Sequence, residues 1–151
     1  MSDPHFKYYF GIPLKTDKGN NIGALCVVDR NEKDLSPEKI ELLKIITGNL
    51  ISNAIKFTPK KGSVNVKMDI NKLKDGSRLF IEVSDTGIGI DKKQLHLIQN
   101  GESISTDGTI GEQGFGFGLT LVKHLVDKSQ GKMEIKSELG KGTTFRIELP
   151  R

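Results

Sequence analysis

The sequence predicts an α+β protein, a two-layer α/β sandwich with helices on one face of a mixed sheet and a β-hairpin at the N-terminus. Three observations predict it. From residue 36 the periodicities read helix, hairpin, helix, long loop, helix, hairpin. Strand candidates alternate apolar and polar residues, as VNVKMDI (64–70) does with Val64, Val66, Met68 and Ile70 on one face. A chain of 151 residues, 35% hydrophobic and 28% charged, is enough for about one buried core.

The elements follow in order. Residues 8–14 (YYFGIPL) and 22–29 (IGALCVVD) are apolar runs around the turn signal TDKGNN, which predicts a hairpin. Ser36 can cap the next helix, Pro37 suits its first position and Glu38 favours the positive end of its dipole. Leu43, Ile46, Leu50, Ala54 and Phe57 continue its apolar stripe, and Thr58-Pro59 ends it. Strands at 64–70 and 79–85 flank the turn-prone NKLKDGS. A short helix is expected over 91–99, a mobile loop rich in Gly, Ser and Thr over 100–115, and a helix over roughly 116–129. Strands at 132–138 and 143–150, joined by a Gly-Lys-Gly turn, complete the set.

Bulk properties exclude several classes. The net charge of +4 comes from scattered lysines with no dense basic block, so no nucleic-acid partner is expected. No apolar run nears the roughly 18 residues of a membrane span, and MSDPHFKYYF lacks a signal-peptide pattern, so a cytoplasmic protein without a membrane partner is expected. Cys26 is the only cysteine, which excludes an internal disulfide and reads as a buried thiol.

Four stretches carry candidate chemistry. Asn49, Asn53 and Lys56 are spaced i, i+4, i+7 on one helical face. The asparagines offer neutral oxygens suited to Mg²⁺ and the lysine a charge for phosphate, although a solvated polar face reads equally well. In VSDTGIGI (83–90), Asp85 ends a strand and can accept a hydrogen bond from an amine, while Gly87 and Gly89 permit close backbone approach to a flat ligand. In GEQGFGFGL (111–119), Gly114, Gly116 and Gly118 alternate before a helix, so that backbone N–H groups can face an anion. The spacing is not that of a P-loop, nor does the run follow a strand as a dinucleotide-binding turn does. In LGKGTTF (139–145), Thr143 supplies a hydroxyl at a hairpin. Each stretch alone also reads as an ordinary turn or helix face.

Taken in order, NLISNAIKFTP, VSDTGIGI, GFGFGL and GKGTTF resemble the N, G1, G2 and G3 boxes of the histidine-kinase ATPase domain, in the GHKL superfamily shared with DNA gyrase, MutL and heat-shock chaperone ATPases. The resemblance covers about residues 42–150 and implies the Bergerat-type ATP-binding fold, with ATP and Mg²⁺ as cofactors and residues 100–115 as a lid. It implies that Asn53 is the main Mg²⁺ ligand with Asn49 assisting, that Lys56 contacts phosphate, and that Asp85 holds the adenine amine with Thr143 nearby. Gly87 and Gly89 would shape the adenine pocket; Gly114, Gly116 and Gly118 would cover the phosphates, with Leu119 in the same nucleotide-binding set. Phe57 takes the position beside the base, or is plain core.

The resemblance also bears on the reaction. ATPase and serine-kinase branches place a glutamate base where Asn49 stands, because water and serine need deprotonation and an imidazole nitrogen does not. Asn49 therefore points to phosphoryl transfer onto a histidine. His5, His96 and His124 lack the H-E-x-x-x-P context of an acceptor, so the expected partner is a histidine-containing dimerisation domain in trans, with a response regulator downstream. His124 reads as a surface or packing residue. The alternative is a non-catalytic ATP-binding module that docks on a partner kinase. The phenylalanine-containing F box expected near 97–101 is replaced by LIQNG, a departure that bears on lid closure. Finally, FGIPLKTDKGNNIGALCVVDRNEKDLSPEKIELL resembles the last strands and exit helix of a GAF sensor domain, too little to enclose a ligand. The expected organisation is a GAF-like segment at 1–41 and a catalytic domain at 42–151, with a simple hairpin extending the ATPase sheet as the other reading of the first segment.

Overall fold

The computed structural model describes residues 8–15, 21–29, 36–73, 76–100, 106–107, 113–114 and 117–150. The chain divides into two compact units, 1–44 and 45–151. In the first, strand β1 (Tyr8–Lys15) pairs antiparallel with β2 (Asn21–Asp29), from Tyr8↔Asp29 to Leu14↔Gly23, as a two-stranded sheet of its own.

Helix α1 (Pro37–Phe57) begins where the capping residues predict. The Ser36 carbonyl accepts the Ile40 N–H at 3.0 Å, Ser36 Oγ accepts the Lys39 N–H at 3.4 Å, and the same hydroxyl holds the Glu38 carboxyl below its ordinary range. At the other end Thr58 Oγ1 donates to the Ala54 carbonyl at 2.6 Å, closing the last turn ahead of Pro59.

The second unit continues with β3 (Val64–Leu73), β4 (Gly76–Asp85), α2 (Lys92–Gln99), the two-residue strands β5 (Thr106–Asp107) and β6 (Gln113–Gly114), α3 (Phe117–Lys128), β7 (Lys132–Glu138) and β8 (Gly142–Pro150). Asp91 caps α2, its carboxylate accepting the Lys93 and Gln94 N–H groups. The expected loop over 100–115 therefore contains a short β5–β6 ladder, which its Gly, Ser and Thr content hid; the rest of that stretch lies outside the described residues.

The main sheet has the order β3-β4-β8-β7 and every pair in it is antiparallel, so the expected mixed sheet is corrected. The reason is topological. β7 runs in the same direction as β4, and setting those two side by side would make the sheet mixed. The second strand of the C-terminal hairpin, β8, lies between them instead.

Pleating divides the sheet into two faces. Leu79, Ile81 and Val83 of β4 stand opposite Leu149, Ile147 and Phe145 of β8, and all six are buried. Ile46, Leu50, Ile51 and Ala54 of α1 and Val122 and Val126 of α3 are buried with them. The other face is charged: Arg78 pairs with Glu148 at 2.7 Å and Arg146 with Glu82 at 2.6 Å. No helix among the described residues is long and apolar enough to cross a membrane. Because Ile147 is 1% exposed at the centre of the core face, Ile147→Ala is expected to cost about 2–5 kcal/mol in urea denaturation. Its neighbour on the charged face, Arg146, is half exposed; Arg146→Ala should move the urea midpoint far less.

Candidate functional site

The site is built where the C-terminal end of α1 meets the ends of β4 and β8. Residues 86–90, after β4, are bonded on two sides. Towards α1, Thr86 N–H donates to the Ser63 carbonyl at 3.0 Å, Ser63 N–H to Thr86 Oγ1 at 2.9 Å, and Ile88 N–H to the Phe57 carbonyl at 3.0 Å. Towards the β7–β8 hairpin, Gly140 N–H donates to the Ile88 carbonyl at 2.7 Å and Ile90 N–H to Ser137 Oγ at 2.8 Å. This closeness demands glycine. A Cβ on Gly87 would run into the Phe57 carbonyl, and one on Gly89, whose φ is +71°, would run into the Glu138 carbonyl. The neighbours that require the two glycines are thus the chain's own backbone, where close approach to a ligand was the expected reason.

Asp85, the last residue of β4, turns its carboxylate into the same corner. Oδ1 accepts the Gly87 N–H at 2.8 Å and the Thr143 N–H at 3.2 Å, and no hydrogen bond to Oδ2 occurs among the described residues. Burial pushes the Asp85 carboxyl above its ordinary range, and the two N–H donors offset part of that shift. Thr143 is 7% exposed, with its hydroxyl 2.9 Å from Ser137 Oγ.

A cleft of about 290 Å³ opens above this floor, a size near the lower end for a small-molecule site. Asn53, Asp85, Gly89, Leu119 and Thr143, all expected site residues, line it, and so does Phe57. Asn49 lies at α3 instead: a Cβ on Gly118 would be 2.7 Å from its Oδ1. Gly87 is buried under the cleft, and the Lys56 ammonium lies 5.6 Å from the centroid of the Phe57 ring. Gly114 belongs to β6, and Gly116 lies outside the described residues.

The two asparagines suit a magnesium ion. Asn49 Nδ2 donates to the Ile45 carbonyl at 2.8 Å, which fixes the amide with its oxygen, the atom a hard cation takes, turned towards the first turn of α3. Asn53 stands one helical turn further on, in the cleft wall. No group of three or more His, Cys, Asp or Glu residues able to hold a metal occurs among the described residues. A cation here would therefore rely on amide oxygens, water and the ligand's own oxygens.

Several lining residues escaped the sequence reading. Ile88, Ile90, Ile98 and Phe145 supply apolar walls; Gln94, Thr120, Lys123, His124 and Asp127 supply the polar side. Thr120, Lys123, His124 and Asp127 follow i, i+3, i+4, i+7, so one helical face carried the signal. His124, expected as a surface or packing residue, is exposed and lines the cleft.

Comparison with known proteins places the fold. A family profile described as histidine kinase-, DNA gyrase B-, and HSP90-like ATPase matches residues 38–151. The autoinducer 2 sensor kinase/phosphatase LuxQ of Vibrio vulnificus is 42% identical over 122 residues, which cover 77% of this chain and 14% of LuxQ. The chain thus spans about a seventh of the length of that relative. Among solved structures, the mycobacterial sensor histidine kinase MprB superposes with a TM-score of 0.58 at 25% identity, covering 84% of this chain and 76% of the solved MprB chain. Full-length ShkA in complex with AMPPNP gives a TM-score of 0.56 at 29% identity, covering 74% of this chain and 22% of ShkA.

The Asp85 geometry separates charge from hydrogen bonding. The folded chain holds the Asp85 proton more tightly than the unfolded chain does, so the residue's contribution to stability falls as pH rises from the ordinary carboxylate range through the raised pKa. Asp85→Asn keeps an oxygen for the Gly87 and Thr143 N–H groups and removes the buried charge. It is expected to flatten that part of the stability–pH profile and to match or exceed the wild-type Tm at neutral pH. Asp85→Ala strands both N–H groups and should lower stability by about 1–3 kcal/mol. Thermal unfolding of the two variants across pH distinguishes these outcomes.

Proposed function

This chain belongs to the histidine kinase-, DNA gyrase B- and HSP90-like ATPase family, and from that premise we propose that it is the ATP-binding catalytic domain of a two-component sensor histidine kinase, passing the γ-phosphoryl group of ATP to a histidine outside this sequence. One observation carries the reading: Asn53, Asp85, Leu119 and Thr143, from four separated stretches, line a single cleft. The domain occupies residues 42–151, and residues 1–41 are the end of a GAF-like domain. A cytoplasmic location goes with this assignment. The name of the LuxQ relative, a sensor kinase/phosphatase, agrees with it.

In this reading the adenine amine donates to Asp85 Oδ2, with Thr143 beside it. Ile88, Leu119 and Phe145 enclose the base, and Gly87 and Gly89 hold the floor. The triphosphate extends towards the N-terminus of α3, whose backbone N–H groups around Gly118 suit an anion, with Gly114 and Gly116 covering it and Lys56 adding charge. Asn53, assisted by Asn49, would hold magnesium, which would supply positive charge to offset that of the phosphates.

The acceptor imidazole needs no base, since its nitrogen already has a free lone pair. That nitrogen forms a bond to the γ-phosphorus as the bond from phosphorus to the bridging oxygen breaks, and ADP leaves with the electron pair. Asn49, an amide, cannot deprotonate water, which favours the histidine acceptor over hydrolysis. A response regulator then takes the phosphoryl group from that histidine. A second reading, a non-catalytic module docking on a partner kinase, is favoured by one feature, LIQNG at 97–101 in place of the F box.

The test is phosphoryl transfer from MgATP to a supplied histidine-bearing dimerisation hairpin, beside calorimetric titration of MgATP. Binding is expected to weaken on chelation of magnesium, and Asn53→Ala should slow transfer by about 100-fold or more. Tight MgATP binding with no phosphohistidine on any such acceptor turns the conclusion to the docking module.

A further inference from the structure

Ser137 lies in β7, outside the four motif stretches, and its hydroxyl joins three segments. Its oxygen is 2.8 Å from the donating Ile90 N–H, 3.0 Å from the Gly142 carbonyl and 2.9 Å from Thr143 Oγ1. A serine hydroxyl has one proton and two lone pairs. The Gly142 carbonyl can only accept, so the bond between the two residues uses the Ser137 proton. The proton between the two hydroxyls then comes from Thr143. Ser137 receives the Ile90 N–H and the Thr143 O–H, and its capacity is used in full.

We propose that Ser137 is a positioning residue for base selection: by holding the Thr143 proton it leaves Thr143 Oγ1 an acceptor only. This rests on the reading of the cleft as an adenine-nucleotide site. Together with the Asp85 carboxylate, Thr143 then offers acceptors, and no donor of its own, to the cleft that both residues line. A 6-aminopurine brings two N–H donors to that edge. A 6-oxopurine keeps one donor on that edge, its N1–H, but puts a carbonyl oxygen where the amine stood, against an acceptor, and is disfavoured. An unrestrained threonine hydroxyl would rotate and donate to the 6-oxo group. The restraint, more than the hydroxyl itself, makes the distinction.

The experiment is calorimetric titration of the full chain with MgATP and with the 6-oxo analogue MgITP. Ser137→Ala is expected to narrow the ATP:ITP preference by about five- to tenfold, chiefly through better ITP binding. Ser137→Thr, which keeps the hydroxyl, should restore the wild-type ratio. In a Thr143→Val background the Ser137 substitution should leave the ratio unmoved. If Ser137→Ala does not fold, Ser137→Cys fills similar space with a weak donor and should narrow the ratio in the same direction. Equal weakening of both nucleotides, with the ratio unchanged, assigns Ser137 a structural role and overturns the inference alone. A wild-type chain that binds neither nucleotide overturns the adenine-site reading and this inference with it.

Discussion

The site depends on one constraint: residues 86–90 must be gripped from both sides at once. On one side the grip is a helix end. The Phe57 carbonyl, among the last of α1 and without an intrahelical partner, takes the Ile88 N–H. On the other side it is a hairpin, through Gly140, Ser137 and the Thr143 N–H that reaches Asp85. A helix terminus therefore solves its own end problem by fixing the loop that forms the cleft floor. The floor in turn sets where the Asp85 carboxylate points. Loosening either grip would leave the sheet intact and the cleft without a shaped base, because the core residues Leu79, Ile81, Val83, Ile147 and Leu149 lie elsewhere along the same strands.

What was legible in the sequence follows from the range of the forces concerned. Local signals read well: the Ser36 cap, the Pro59 stop, the Asp91 helix start and the alternation in 64–70 and 132–138 all act within a few residues. The antiparallel character of the whole sheet did not read, because it depends on which strand of the C-terminal hairpin lands beside β4, a choice no local pattern encodes. The same division runs through the site. Asp85, Asn53 and Thr143 stand out as residue types whose chemistry asks for a ligand, and all three line the cleft. Ile88, Ile98 and Phe145 are ordinary core letters, and only the assembled fold turns them towards a cavity. Gly87 and Gly89 were legible as glycines needing close approach, but what approaches is Phe57 and Glu138, about 30 and 50 residues away in the chain.

Asp85 shows how such a floor couples stability to recognition. Half-burying a carboxylate disfavours its charged form, and the Gly87 and Thr143 N–H donors relieve this only in part, since both engage Oδ1. A third donor from the protein at Oδ2 would hold the charge more comfortably and would also occupy the remaining acceptor of a residue that lines the cleft. The unrelieved remainder is therefore what makes an incoming N–H group valuable: it completes the solvation that the protein withholds. Thr143 follows the same logic by a different route. Its proton is committed to Ser137, so its oxygen too waits for a donor. Under the proposed reading, two acceptors short of partners among the described residues, on a floor fixed from both sides, form a site whose preference is set before any ligand arrives.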